Sequence, residues 1–265
     1  MLFPLCGQIP APSKNEQQVS LLFDSLRTSN DDEEKKRISD AISKILAQEF
    51  QSQESFANPY TSWNYVGKVF SDDNKVKIYT WNYPLSDKTY GYGGFIQCKV
   101  NSRTIKTTPL TIKNRAYLPV TNKRIPANDW YGALYYKAIH IKHKKDNYYT
   151  LLGWAGNSAV SDFKVIEILN LSERGNASFG KMAFKFKQKG RKGEQRFILE
   201  YSSEAKISLS YDPQMKKIIF DHLVPSDPAY TDVYSYYGPD FTYDAFVLEE
   251  GKWFFEDDVD VKNRE

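Results

Sequence analysis

Hydrophobic positions change their spacing once along the chain, near Pro59. Before it they recur at helical intervals. Val19, Leu22, Phe23 and Leu26 fall on one face of a helix over 17–27, because side chains three and four apart lie together. Ile38, Ala41, Ile42, Ile45, Leu46 and Phe50 form a second stripe. Asn30 precedes it as a cap, and Asp31, Asp32, Glu33 and Glu34 load its first turn, where the helix dipole favours negative charge. Those four acids read as a solvated helix face.

After Pro59 the period becomes two. Val76, Ile78 and Thr80 alternate with Lys75, Lys77, Tyr79 and Trp81. The turn 71–74 pairs that strand with 63–70 as a hairpin. Further strands are expected over 95–100, 105–112, 132–143, 148–154, 181–187, 196–203, 206–211, 217–224, 244–248 and 253–259. The run 165–171 is ambiguous between strand and short helix. A dozen strands with few helices between them predict a mainly β fold. It is an antiparallel multi-stranded meander, as barrel, sandwich or propeller, preceded by an α-helical segment. The domain reading is therefore an apolar piece and linker over 1–16, a helical segment over 17–56 packed on the body, and an antiparallel β domain over 57–265.

Composition agrees with strands. Tyrosine (19) and phenylalanine (16) are abundant, and aromatic residues suit a half-buried pleated surface. The formal net charge of +3 gives no argument for nucleic acid. No apolar run approaches the ~18 residues of a membrane span. The apolar start, residues 1–8, reads as the end of a secretory signal with its basic region upstream, or as a plain apolar terminus. Cys6 and Cys98 make no disulfide framework and have no metal-ligand neighbours.

Candidate chemistry is mostly excluded. Residues 175–182 come near a phosphate-binding loop, but Met182 stands where a hydroxyl is needed and a strand follows. Ser161/Lys164 and Ser203/Lys206 fit a Ser-x-x-Lys spacing without its companion motifs. His140 and His143 face opposite sides of one strand, and His222 reads as a core histidine with one hydrogen-bonding partner. Basic residues at 142–145 and at Lys185, Lys187, Lys189, Arg191, Lys192 and Arg196 read as a wet edge protected from further pairing. No catalytic residue, metal set or cofactor motif is identified.

What remains is the stretch 218–253. Asp227, Asp232, Asp240 and Asp244 lie in it beside Tyr230, Tyr234, Tyr236, Tyr237 and Tyr243. The residues 237–240 are expected to turn, with Pro239 setting φ and Asp240 bonding the following amides. That turn should bring Tyr243 and Asp244 against the sheet near Trp253. The segments 77–82, 94–97, 132–136, 149–154 with Asn157, 221–223, 237–240 with Tyr243 and Asp244, and 251–253 resemble those of a group of Bacteroidota proteins with no assigned activity. The resemblance covers nearly the whole chain after residue 20. It implies export to the periplasm or beyond, and no chemistry.

The expected function is a non-catalytic cell-envelope binding module that takes a glycan, peptide or protein partner. Its candidate ligand residues are Asp240, Tyr237, Tyr243, Asp244, Trp154, Asn157 and Trp81. One alternative is a carboxylate-dependent, glycosidase-like hydrolase using acids of 227–244. Another is a structural part of an envelope assembly.

Overall fold

The computed structural model describes residues 12–112, 122–187, 190 and 192–260. The N-terminal apolar piece with Cys6, and the basic residues Lys189 and Arg191, lie outside them. Three helices come first: α1 (Lys14–Thr28), α2 (Asp32–Glu49) and the short α3 (Gln53–Ala57). Ser13 caps α1, and Asp31 rather than Asn30 caps α2, accepting the Glu34 amide at 2.6 Å. The first sheet is an antiparallel meander of β1 (Gly67–Phe70), β2 (Val76–Pro84), β3 (Tyr90–Asn101) and β4 (Thr104–Leu110).

The second sheet is built on β5 (Ile125–Pro126), β6 (Leu134–His143), β7 (Asp146–Gly156), β8 (Ser161–Leu171) and β9 (Ala177–Phe179). Strand β10 (Phe184–Lys185) leaves for the third sheet, and β11 (Arg196–Ser202) returns to pair with β8. The third sheet is completed by β12 (Leu209–Asp212), β13 (Lys217–Pro225), β14 (Tyr237–Glu249) and β15 (Lys252–Glu256). Pairing is antiparallel throughout the described strands except β10 with β15, which run parallel. Of the expected strand 181–187, only those two residues pair. The phosphate-loop-like stretch contains the short strand β9 and opens no helix.

The apolar side chains gather in three cores, one under the helices and two between successive sheets. Alternation on β2 assigns its faces. Tyr79, Trp81 and Tyr83 join Val19, Phe23, Ile42, Leu46 and Phe50 in the core under the helices. Val76 and Ile78 join Ile96, Tyr135, Leu151 and Val165 in a core between the first and second sheets. The other face of the second sheet contributes Ile139, Tyr148, Leu152, Ile166 and Ile168 to a third core, against Ile218, Phe220, Phe246 and Trp253. The second sheet is thus buried on both faces, and this explains the ambiguous run 165–171. Val165, Ile166, Ile168 and Leu169 are all fully buried strand residues, so the alternation that marks a half-wet strand is lost. Trp253, inside the third core, donates its indole N–H to Thr150 Oγ1 at 2.9 Å.

The central sheet also holds a buried ion pair. Arg196 stands opposite Glu167 in the β11–β8 register. Its Nε lies 2.7 Å from Glu167 Oε2, and both side chains are fully buried. Glu167 also accepts the Tyr131 hydroxyl at 3.2 Å and the Ile168 amide at 2.9 Å. Arg196 donates a further bond to the Lys123 carbonyl at 2.7 Å. The wet basic edge expected from the sequence therefore does not include Arg196. Its charge needs a buried carboxylate, and β8 supplies one.

Candidate functional site

The connection between β13 and β14 is a short ordered loop. Asp227 accepts the Ala229 amide at 2.8 Å and opens one turn of 3₁₀ helix, Pro228–Tyr230. A second 3₁₀ turn, Tyr234–Tyr236, follows. The Ser226 amide donates to the Tyr236 carbonyl at 2.9 Å and closes the loop. The Tyr237 hydroxyl accepts the amide of Asp232, a residue held at φ 65°.

This backbone orders the aromatic rings. Tyr230 and Tyr236 stack at 4.1 Å with 12° between their planes. Tyr234 leans on Tyr237 at 4.9 Å. Tyr230, Tyr234 and Tyr236 nevertheless remain 40%, 43% and 47% exposed. Burial, with the nearby charges of Asp232 and Glu200, pushes the Tyr234 hydroxyl above its ordinary pKa.

A cleft of about 630 Å³ opens beside the loop. The loop side is Ser235, Tyr236, Tyr237 and Pro239. The opposite side is the β7–β8 turn, at Ala159 and Val160, and the end of β11 with the residue after it, at Ser202 and Ser203. Behind this wall Glu200 accepts the Ser161 hydroxyl at 2.8 Å and the Asn157 amide at 3.0 Å. Asn157 also donates to Ser161 Oγ at 2.8 Å, so it braces the turn.

The other candidate residues divide between places. Trp154 is half-buried near the end of β7, edge-on to Tyr90 at 5.4 Å. Nearby, the Asp162 carboxyl is raised chiefly by burial. Asp240 lies in an irregularity of β14: Asp221 pairs with Tyr243 but Leu223 pairs with Pro239. Two extra residues of β14 are accommodated there, with Phe241 at φ 71° and 89% exposed. Asp240 Oδ1 bonds the Thr242 amide and hydroxyl at 3.0 and 2.8 Å, as expected of an Asx-type cap.

The expected turn at 237–240 is instead the first part of a strand. Asp244 does not approach Trp253, which pairs with Leu248 further along. Trp81 is fully buried under the helices, bonded to Ser39 Oγ at 3.0 Å and stacked on Phe95. It has no access to a ligand.

His222 sits where the register breaks and the apolar layer stops. Its side chain is 42% exposed rather than enclosed, and its Nδ1 lies 2.9 Å from Asp244 Oδ2. Burial alone would lower its pKa. The hydrogen bond and charge of Asp244, with Asp240 and Asp257 nearby, outweigh that and raise it above the ordinary 6.5. A histidine bound more tightly as its cation stabilises the fold below pH about 6.5, and the contribution is lost as pH rises through the raised value. An NMR titration of His222 should therefore give a midpoint above 6.5, and Asp244→Asn should bring it to that value or lower. Among the described residues no three His, Cys, Asp or Glu side chains converge in a way that could hold a metal ion.

Sequence reasoning reached the tyrosines of the loop but missed Ser202 and Ser203 across the cleft and Glu200 behind them. The β11–β8 register brings them there, and no local signal encodes it. Comparison of the chain with protein-family models, with curated proteins and with solved structures gives no match.

Proposed function

We propose that the protein is a non-catalytic binding module whose tyrosine loop and neighbouring cleft take a glycan. One observation carries the reading: a loop tied down by its own hydrogen bonds holds Tyr236, stacked on Tyr230, half in water at the rim of a serine-lined cleft. Leaving rings exposed forfeits apolar burial, so an ordered exposed pair suits a surface that a ligand covers. Tyrosine offers an apolar face and a polar tip, and the serines across the cleft offer both donors and acceptors. Sugars present the matching mixture of C–H faces and hydroxyls.

The carboxylates support binding over hydrolysis. Asp227 and Asp240 cap local backbone, and Asp244 holds His222. Glu204 is the one carboxylate among the described residues lining the cleft, whereas glycosidic acid–base work uses two about 5–9.5 Å apart.

Affinity electrophoresis and calorimetry with a panel of soluble polysaccharides test the proposal. At least one should bind, and Tyr236→Ala should weaken it tenfold or more without changing the melting temperature appreciably. Loss of about 1–3 kcal/mol is the scale of one aromatic contact in a binding site. A panel without a binder, or a Tyr236→Ala variant that binds as well as the parent, refutes it. An exported setting belongs to the same proposal and rests on the resemblance alone. Fractionation of the source cells tests it, and a protein confined to the cytoplasm would refute it.

A further inference from the structure

A second concavity lies at the limit of the helical layer. Odd-numbered residues of β2 and β3 face the helices: Tyr79, Trp81 and Phe95 are covered by α1 and α2. Further along the same face only α3 provides cover, and there the sequence places Lys77 and Lys99. Lys77 pairs with Gln97 in the β2–β3 register, so Lys99 is its diagonal neighbour on the same face. A pocket of about 500 Å³ opens at this point. Its walls include Phe56 and Pro59 on the helical side and Phe70 and Ile105 on the sheet side.

The two ammonium groups share one aromatic ring. Lys77 Nζ is 5.0 Å and Lys99 Nζ 4.7 Å from the centroid of Phe56, and Lys77 is also 4.6 Å from that of Phe70. Among the described residues neither lysine has a carboxylate partner. Among the described residues the hydrogen-bond partner of Lys77 is the Asn58 carbonyl, at 3.3 Å. Lys77 is half-buried and Lys99 exposed, and two like charges held over one ring are an arrangement that an anion would relieve. Burial, and then the charge of Lys99, pull the Lys77 pKa down to about 8. The pocket's volume is in the range of small-molecule sites, roughly 300–1,000 Å³.

We propose that this pocket binds a small organic anion, its carboxylate or phosphate head between Lys77 and Lys99 and its apolar body against Phe56 and Phe70. Lysine is a compact point charge suited to either head group. The site is separate from the tyrosine loop and does not depend on the glycan reading.

Calorimetric and NMR titrations of the full chain with phenylacetate, phenyl phosphate and neutral benzyl alcohol test this. Both anions should bind at least tenfold more tightly than benzyl alcohol, and the tighter of the two identifies the preferred head group. Binding should raise the Lys77 Nζ midpoint from about 8 towards the ordinary lysine value. Lys77→Met with Lys99→Met keeps the apolar stems and removes the charges. It should weaken both anions tenfold or more, with an unchanged or higher melting temperature because a repulsion is gone. Tyr236→Ala should leave these affinities unchanged. Equal binding of benzyl alcohol, absence of binding by either anion, or full affinity in the double variant of unaltered circular dichroism would overturn the proposal.

Discussion

Arg196→Met is expected to destabilise the protein by about 3–5 kcal/mol, the scale for removing one partner of a buried ion pair. The substitution leaves Glu167 charged or forces it to take up a proton, in a position closed to water. Burial is the first influence on Glu167 and raises its pKa, with Arg196 opposing it. In a chain of this size the loss corresponds to a fall of roughly 10 °C in melting temperature. The informative comparison is Glu167→Leu with Arg196→Met. An apolar pair of similar volume should recover most of the loss. Recovery should be incomplete, because the Tyr131 hydroxyl, the Ile168 amide and the Lys123 carbonyl then lose their partners. Calorimetric melting of the two single variants and the double variant closes the cycle. Additive losses in the double variant would show that the pair is not coupled.

Trp81→Ala should cost a similar amount, about 3–5 kcal/mol, through the cavity left under the helices. The ring is wedged between α2 and β3. It stacks on Phe95, meets Phe23 edge-on, and lies flat over Gly93, where a Cβ would come within 2.2 Å of it. Trp81→Phe should cost less, because it fills part of the space, although it too sacrifices the bond to Ser39. Urea unfolding followed by circular dichroism measures both. If Trp81→Ala left stability intact and abolished ligand binding, the residue would belong to a site, and the packing described above would be wrong.

How far the sequence was legible follows from what each feature needs. The two main helices and the change of period are local, and they could be read from spacing. The face assignment of β2 was legible for the same reason: Val76 and Ile78 look one way and Tyr79 and Trp81 the other. What could not be read was that both faces are dry. Trp81 therefore joined the ligand candidates although it is enclosed, and 165–171 lost its strand signature. Arg196 fell within a basic stretch, and only pairing with β8 reveals its acid. His222 sits beside two extra residues of β14, which alternation alone cannot show. Lys77 and Lys99 meet through strand register, a long-range property. The tyrosine loop was the part of the candidate site that local composition could mark, because its rings are close in sequence as well as in space.

The stacking of layers almost repeats the order of the chain: helices, then first, second and third sheets. A ribosome thus releases each layer before the one that will cover it. The helices and first sheet emerge with Val76, Ile78 and Ile96 bare until the second sheet arrives. The second sheet then exposes Ile139, Leu152, Ile166 and Ile168 until β12–β15 are made. Domains form as they leave the ribosome, and uncovered strand surface is prone to aggregate. Nascent chains from which residue 202 has emerged but β12–β15 have not should accordingly be the most dependent on chaperones, since they carry a complete central sheet with one oily face uncovered.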